Sequence, residues 1–291
     1  WAPPSQVLIH DIVGPDLLQS AVRLNATARW LGLLAGPAVG AGFLLALGPV
    51  WGLVANAIFF LPLLVWLWKA PYGPRFRKGA PAPVRAVRGF ADIVQTVREI
   101  SGNRTLASMT LLAGGASLFI GNAYQAQMPA FANDLGHMHA DFSYSALLAA
   151  DAAGGLLAGL VLESRGLLPP RPRTAFILAM LWCLAIGGFA LASLFPLALV
   201  LLFIAGFLEL AFAAMAQTLV QLNAPPESRG RVIGLFNMAS LGLRAFAGVT
   251  VGLLGGVIGI HWSLAASAAA LLMMAVAMLA WHLRAGRRLP D

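Results

Sequence analysis

Three ionisable side chains stand inside runs that are otherwise apolar: Asp151 in LLAADAAGGLL, Glu209 in FLELAF and Arg244 in GLRAFAG. A carboxylate held away from water can take up and release a proton, and a guanidinium beside it biases that exchange. Two acids and one arginine in such surroundings point either to a fixed buried ion pair or to a proton site that changes state as something else binds. Other chemistries find no support. The two lysines, Lys69 and Lys78, do not follow the glycine spacing of a phosphate loop, so ATP hydrolysis is excluded. No GxSxG or HExxH arrangement is present, and Cys183 is the lone cysteine. We therefore expect no enzyme, no cofactor and no disulfide. His137 and His139, with Asp134 and Asp141, lie two apart on a short polar stretch and read as solvated side chains, not as a metal site. Any work must draw on an existing gradient.

The elements that position these residues follow from composition. Hydrophobic residues make up 59% of the 291 and charged residues only 10%, where a soluble domain carries about 25% charged. Such a chain is an all-helical integral membrane protein in contact with the lipid bilayer. Apolar stretches of membrane-crossing length fall at 25–47, 50–68, 106–131, 143–163, 174–194, 197–222, 232–254 and 260–283, which makes eight helices. Seventeen of the nineteen lysines and arginines sit in alternate connections, and only Arg29 and Arg244 lie within spans. By the positive-inside rule the basic side is cytoplasmic, including the C-terminus. The net charge of +8 thus orients the chain, and nucleic acid is not an expected partner. At 1.5 Å per residue, Asp151, Arg244 and Glu209 lie about 12, 15 and 18 Å below the outer ends of their helices, in one layer. A lone charge there costs at least about 2.5–3.5 kcal/mol on insertion scales, so Arg244 is expected to bridge Asp151, Glu209 or both.

The chain also repeats itself. Shifted by 212, residues 25–40 fall on 237–252, and Asn25, Leu31, Ala35, Gly36, Val39 and Gly40 meet identical residues. With one gap, Gln6 and Pro15-Asp16 meet Gln217 and Pro226-Glu227. Residue 1 then corresponds to the middle of the 197–222 helix. The expectation is a duplicated protein whose first copy lacks about three and a half helices here. The divisions would be 1–68, the remnant of a first six-helix half; 69–104, a basic linker; and 105–291, a complete second half. Within the linker, Val84, Val87, Ala91, Val94 and Val97 recur at helical spacing, which describes an amphipathic helix along the cytoplasmic face.

Two six-helix halves joined by a long basic loop resemble the major facilitator superfamily. Gly32-x-x-x-Gly36-Pro37-x-x-Gly40-x-Gly42 resembles the fifth-helix motif of its drug/proton antiporters, with Ala41 separating the last two glycines. Gly159-x-x-x-Glu163-x-x-Gly166 looks like a worn copy of the loop motif G-x-L-A-D-R-x-G, Ser164 replacing its arginine. The order LNATARWLGLLAGP, NAIFFLP and PPESRGRV is similar to the bacterial exporter branch of enterobactin exporters and transmembrane secretion effectors.

The resemblance implies the major facilitator fold, helices equivalent to five through twelve, and a monomeric multi-pass protein of the bacterial inner membrane. It implies proton-coupled export of a small molecule by alternating access. An uptake facilitator and a non-transporting sensor or scaffold are the alternatives. The glycine stripe, bent at Pro37, then serves as packing or as a flexible contact between halves, with Gly155-x-x-x-Gly159 as its partner. Arg29 either snorkels to the interface or latches the halves. Glu163, Gly166, Arg229 and Arg231 belong to a cytoplasmic gate. Asn122, Tyr124, Gln125, Gln127, Gln217 and Gln221 either line the substrate path or bond neighbouring helices.

Overall fold

A computed structural model describes residues 9, 12–14, 16–28, 31–32, 50, 52, 54, 58–69, 90–121, 123–135, 140–164 and 169–286. After a helical stretch over 18–28, the helices are α1 (Leu61–Lys69), α2 (Phe90–Gly102), α3 (Arg104–Phe119), α4 (Ala123–Leu135), α5 (Ala140–Ser164), α6 (Pro172–Ala190), α7 (Phe195–Asn223), α8 (Arg229–Ile258) and α9 (Ile260–Gly286). Among the described residues there is no strand. Among the described residues, six segments are long and apolar enough to cross a membrane: Arg104–Leu135, Ser143–Leu162, Pro172–Ala190, Phe195–Asn223, Arg229–Ile258 and Ile260–Leu283. They coincide with the last six expected spans. Of the first two, 25–47 lies mostly outside the described residues, and 50–68 is represented chiefly by α1.

Local chemistry sets the ends of these helices. Asn103 Oδ1 accepts from the backbone N–H groups of Thr105 and Leu106 and starts α3. Proline opens the first turn of α6 and of α7, where no helical partner is lost. Gly259, at φ 86°, takes the left-handed conformation that reverses the chain between α8 and α9. The expected single helix over 106–131 is in fact two. The chain breaks at Gly121, at φ 47°, where an added side chain would also collide with the Ser117 carbonyl and Ala247. The break places the first turn of α4 within the bundle.

α8 is likewise irregular. Two widened π-helical segments, Met238–Gly242 and Gly248–Leu253, flank a single α-turn, Arg244–Ala247. Such widening frees carbonyls from the regular ladder. The Val251 carbonyl accepts from Ser263 Oγ at 2.8 Å and from Gln127 Nε2 at 3.2 Å, so one carbonyl ties α8 to both α9 and α4.

The closest helix pair is α5 with α7. A methyl group on Gly154 would overlap the Phe203 carbonyl, and one on Gly206 would overlap the Asp151 carbonyl. The backbones therefore touch at this crossing, the small-residue contact that joins helices where lipid supplies no hydrophobic drive. Phe131 packs on Phe189 and Trp182 on Phe212 in the interior, while Leu111, Leu160, Leu184 and Trp262 face outward.

Basic residues gather at one end. The Arg104 guanidinium lies over the Trp281 ring at 5.8 Å, and Arg231 pairs with Glu99 of α2 at 3.6 Å. α2 buries Thr96 and Ile100 and leaves Val94 and Val97 exposed, so these two members of the stripe face away from the protein. Val84 and Val87 lie outside the described residues. At the opposite end His261 joins three helices. Its Nδ1 lies 2.6 Å from the Ala190 carbonyl, its Nε2 3.4 Å from Asp134, and its ring meets Phe131 edge-on.

Candidate functional site

Asp151 on α5 and Glu209 on α7 do meet in one layer, and the side chain that joins them comes from α4. The Tyr124 hydroxyl lies 3.1 Å from Asp151 Oδ2 and 3.1 Å from Glu209 Oε2. Gln125 Nε2 donates to Asp151 Oδ2 at 3.1 Å and stands 3.3 Å from the Tyr124 hydroxyl. Tyr124 is wholly buried, Asp151 nearly so, and Glu209 half-buried. Two structural features converge to make this possible. The break at Gly121 turns Tyr124 and Gln125 inward at the start of α4, and the glycine crossing brings α5 and α7 to backbone contact beside Asp151.

Hydrogen-bond arithmetic constrains the cluster. A phenol carries one proton and can donate to only one acceptor at a time. Asp151 Oδ2 already accepts from Gln125, and the Tyr124 hydroxyl completes it. The contact with Glu209 is then favourable when the glutamic carboxyl carries a proton and donates to the phenolic oxygen. Two ionised carboxylates on one phenol would leave one contact repulsive in a medium that screens charge poorly. Asp151 Oδ1 is buried without a hydrogen-bond partner, so this site holds little spare donor capacity.

Arg244 shares a cavity wall with Glu209. It lines a cavity of about 110 Å³ together with Glu209, Gln217, Trp182 and Ser117, and the contact that unites the two acids is the Tyr124 hydroxyl. Glu209 thus belongs both to the carboxyl cluster and to the cavity wall. Gln217 lines the cavity, Gln127 instead bonds α8, and Gln221 is buried away from the lining with neither amide atom partnered. Asn122 lies outside the described residues.

A second polar contact connects the 18–28 stretch to α5 at the basic end. Buried Arg23 donates from Nη1 to the Leu162 carbonyl at 2.6 Å, in the last turn of α5. Cations favour this end of a helix, where carbonyls lack intrahelical partners. One turn back, Gly159 meets Thr27 so closely that an alanine there would overlap it. Gly159 thus meets the 18–28 stretch at Thr27, while the glycine stripe expected as its partner lies mostly outside the described residues. Gly32 is exposed, whereas Arg29, Gly36, Pro37, Gly40, Gly42 and Gly166 lie outside the described residues. Arg231 pairs with Glu99, and Arg229 sits at the start of α8. Glu163 lies within α5.

Sequence reasoning placed Tyr124 among path residues and did not see it as the bridge, and it passed over Arg23 and the Gly154–Gly206 crossing. The usable signals were a tyrosine in an apolar segment containing two acids' neighbours in depth, and a lone Gly206 amid Leu and Phe.

The family model described as Major Facilitator Superfamily matches residues 2–248. Enterobactin exporter EntS of Shigella boydii serotype 18 is 29% identical over 276 residues, covering 92% of this chain and 62% of the relative. Enterobactin exporter EntS of Shigella dysenteriae serotype 1 and of Escherichia coli O139:H28 are each 28% identical over 276 residues with the same coverage. The chain spans about 62% of the length of these relatives.

Proposed function

We propose, for a chain that belongs to the Major Facilitator Superfamily, that the full-length protein is a proton-coupled secondary transporter that exports a small molecule. The observation that carries this reading is the Tyr124 hydroxyl between Asp151 and Glu209. Its geometry favours one carboxyl holding a proton in addition to the phenol's own, and Glu209 also lines the cavity. A change of occupancy in the cavity then alters the surroundings of the same carboxyl that holds the proton. That is the minimal linkage a coupled transporter requires.

Alternating access supplies the remaining step, with two halves rocking about a midplane site. Arg23 on Leu162 and Thr27 on Gly159 close the basic end in the arrangement described. The positive-inside rule supports that end as the cytoplasmic one in a bacterial inner membrane. Export is favoured over uptake by the relatives, which are named as exporters. Enterobactin, the cargo in those names, is the first molecule to test.

The experiment is enterobactin movement from preloaded vesicles containing the full-length protein, with and without an imposed proton gradient. Efflux that rises with the gradient supports the proposal. Gradient-independent movement removes proton coupling, and a gradient that drives accumulation instead of efflux makes it an uptake system. Absence of movement for enterobactin and for a panel of small organic cargoes would leave a sensor or scaffold of the same fold.

A further inference from the structure

We propose that the cavity beside Glu209 receives the oxygen acceptors of an organic cargo, the carbonyl or carboxylate oxygens, and does not receive a cation. This inference rests on the transporter reading above and names the chemistry of the group that its cavity takes.

Four residues of the cavity wall carry a buried polar atom without a hydrogen-bond partner. Trp182 Nε1, Gln217 Nε2 and Arg244 Nε are each buried and lack a hydrogen-bond partner, and so is Ser117 Oγ. All four residues line the same cavity of about 110 Å³. They come from four helices, α6, α7, α8 and α3, so no local backbone geometry accounts for their convergence. Trp182 is only 3% exposed and its ring is held by stacking on Phe212 at 6.3 Å, which fixes where the indole N–H stands.

An unpaired buried donor is costly and normally finds a partner. Three N–H donors cannot satisfy one another, since none carries an acceptor lone pair at the atom concerned. A guest bearing oxygen acceptors can satisfy several at once. The wall's acidic group, Glu209, is already engaged with Tyr124. A donor-only cation would therefore meet Arg244 and the unpaired N–H groups as repulsive neighbours. Charge-assisted hydrogen bonds from a guanidinium are the stronger kind, so Arg244 should contribute most.

Binding of small aromatic probes to the full-length protein in detergent tests this directly, by equilibrium dialysis and ligand-induced shift of the melting temperature. Methyl benzoate carries a neutral acceptor, benzoate an anionic one, and benzamidine only donors and positive charge. Methyl benzoate, benzoate or both are expected to bind at millimolar concentration, the tighter of the two giving the charge of the natural group. Arg244→Gln should weaken the bound probe by about tenfold or more, and Arg244→Lys should not restore it fully, because the Nε–H is lost. Trp182→Phe should weaken it by about three- to tenfold while the unliganded melting temperature stays level or rises, since the variant removes an unsatisfied donor and keeps the ring. A merely structural tryptophan would lower the unliganded melting temperature instead. Benzamidine binding as tightly as the acceptor probes overturns the proposal, as does no binding by either acceptor probe. Failure here with gradient-driven efflux intact leaves the transporter reading standing; binding as expected without such efflux removes that reading and keeps the site.

Discussion

Gly206 lies against the backbone carbonyl of Asp151, so closely that position 206 admits no side chain. The acid therefore sits at the tightest helix crossing in the described protein, with its own main chain as part of the contact. Packing and chemistry are joined at this point: what brings α5 to α7 also sets the reach from Asp151 to Tyr124.

Gly206→Ala and Gly154→Ala should each force α5 and α7 apart, since the obstacles are backbone carbonyls that cannot turn aside. Overpacking of this kind costs about 1–3 kcal/mol, and a lowered melting temperature of the purified protein checks it. Gly230→Ala provides the contrast. Its added methyl meets open space, so helix propensity predicts a neutral effect or a gain of up to about 1 kcal/mol.

Arg23→Ala removes the donor to the Leu162 carbonyl and leaves the end of α5 without that cation. Loss of a charged hydrogen bond costs about 1.5–3 kcal/mol. The same loss should loosen the neighbouring contact of Thr27 with Gly159. A Thr27→Cys probe should label faster with a thiol reagent in the Arg23→Ala background than in the parent; equal rates would contradict the latch.

At the opposite end the order of effects is informative. Asp134 and His261 form a partly exposed pair, at 51% and 30% side-chain exposure, so Asp134→Asn should cost less than about 1 kcal/mol. His261→Ala also loses the Ala190 contact and the edge-on packing with Phe131. These are worth about 1–3 kcal/mol together. Melting temperatures should fall in the order His261→Ala below Asp134→Asn.

Much of this arrangement was legible in the residues. Apolar length gave the last six spans closely, because lipid leaves the backbone little choice but the helix. The rise per residue put Asp151 and Glu209 at one depth, and they are indeed in one cluster. Periodicity could not show the break at Gly121, since apolar residues continue through it, and the break is what delivers Tyr124. Nor could it separate the roles of Gln125 and Gln127, two residues apart, of which one joins the carboxyl cluster and the other bonds Val251. Arg244 was matched to the acids by charge and depth alone. The direction of a side chain on a helix interrupted by two π-helical segments is not given by a regular 3.6-residue count. Arg23 escaped notice because it reads as one more residue of a basic connection, and its burial depends on the end of a helix 139 residues away.

Tyr124→Phe keeps the ring and removes the shared hydroxyl. The two acids then have no common hydrogen-bond partner, and Asp151 Oδ2 retains Gln125. Gradient-driven transport by the full-length protein should fall by about tenfold or more, the cost of a charge-linked hydrogen bond. The amount of folded protein, read by gel filtration, should be close to the parent's.

The central claim is that Asp151 and Glu209 hold the proton that couples movement of cargo. Its most direct measurement compares two rates in vesicles containing full-length Glu209→Gln and Asp151→Asn protein: transport driven by an imposed proton gradient, and exchange of cargo across the membrane without one. The account predicts that gradient-driven transport is lost in each variant while exchange persists, because access still alternates but no proton is carried. Gradient-driven transport at the parental rate in both variants would contradict it.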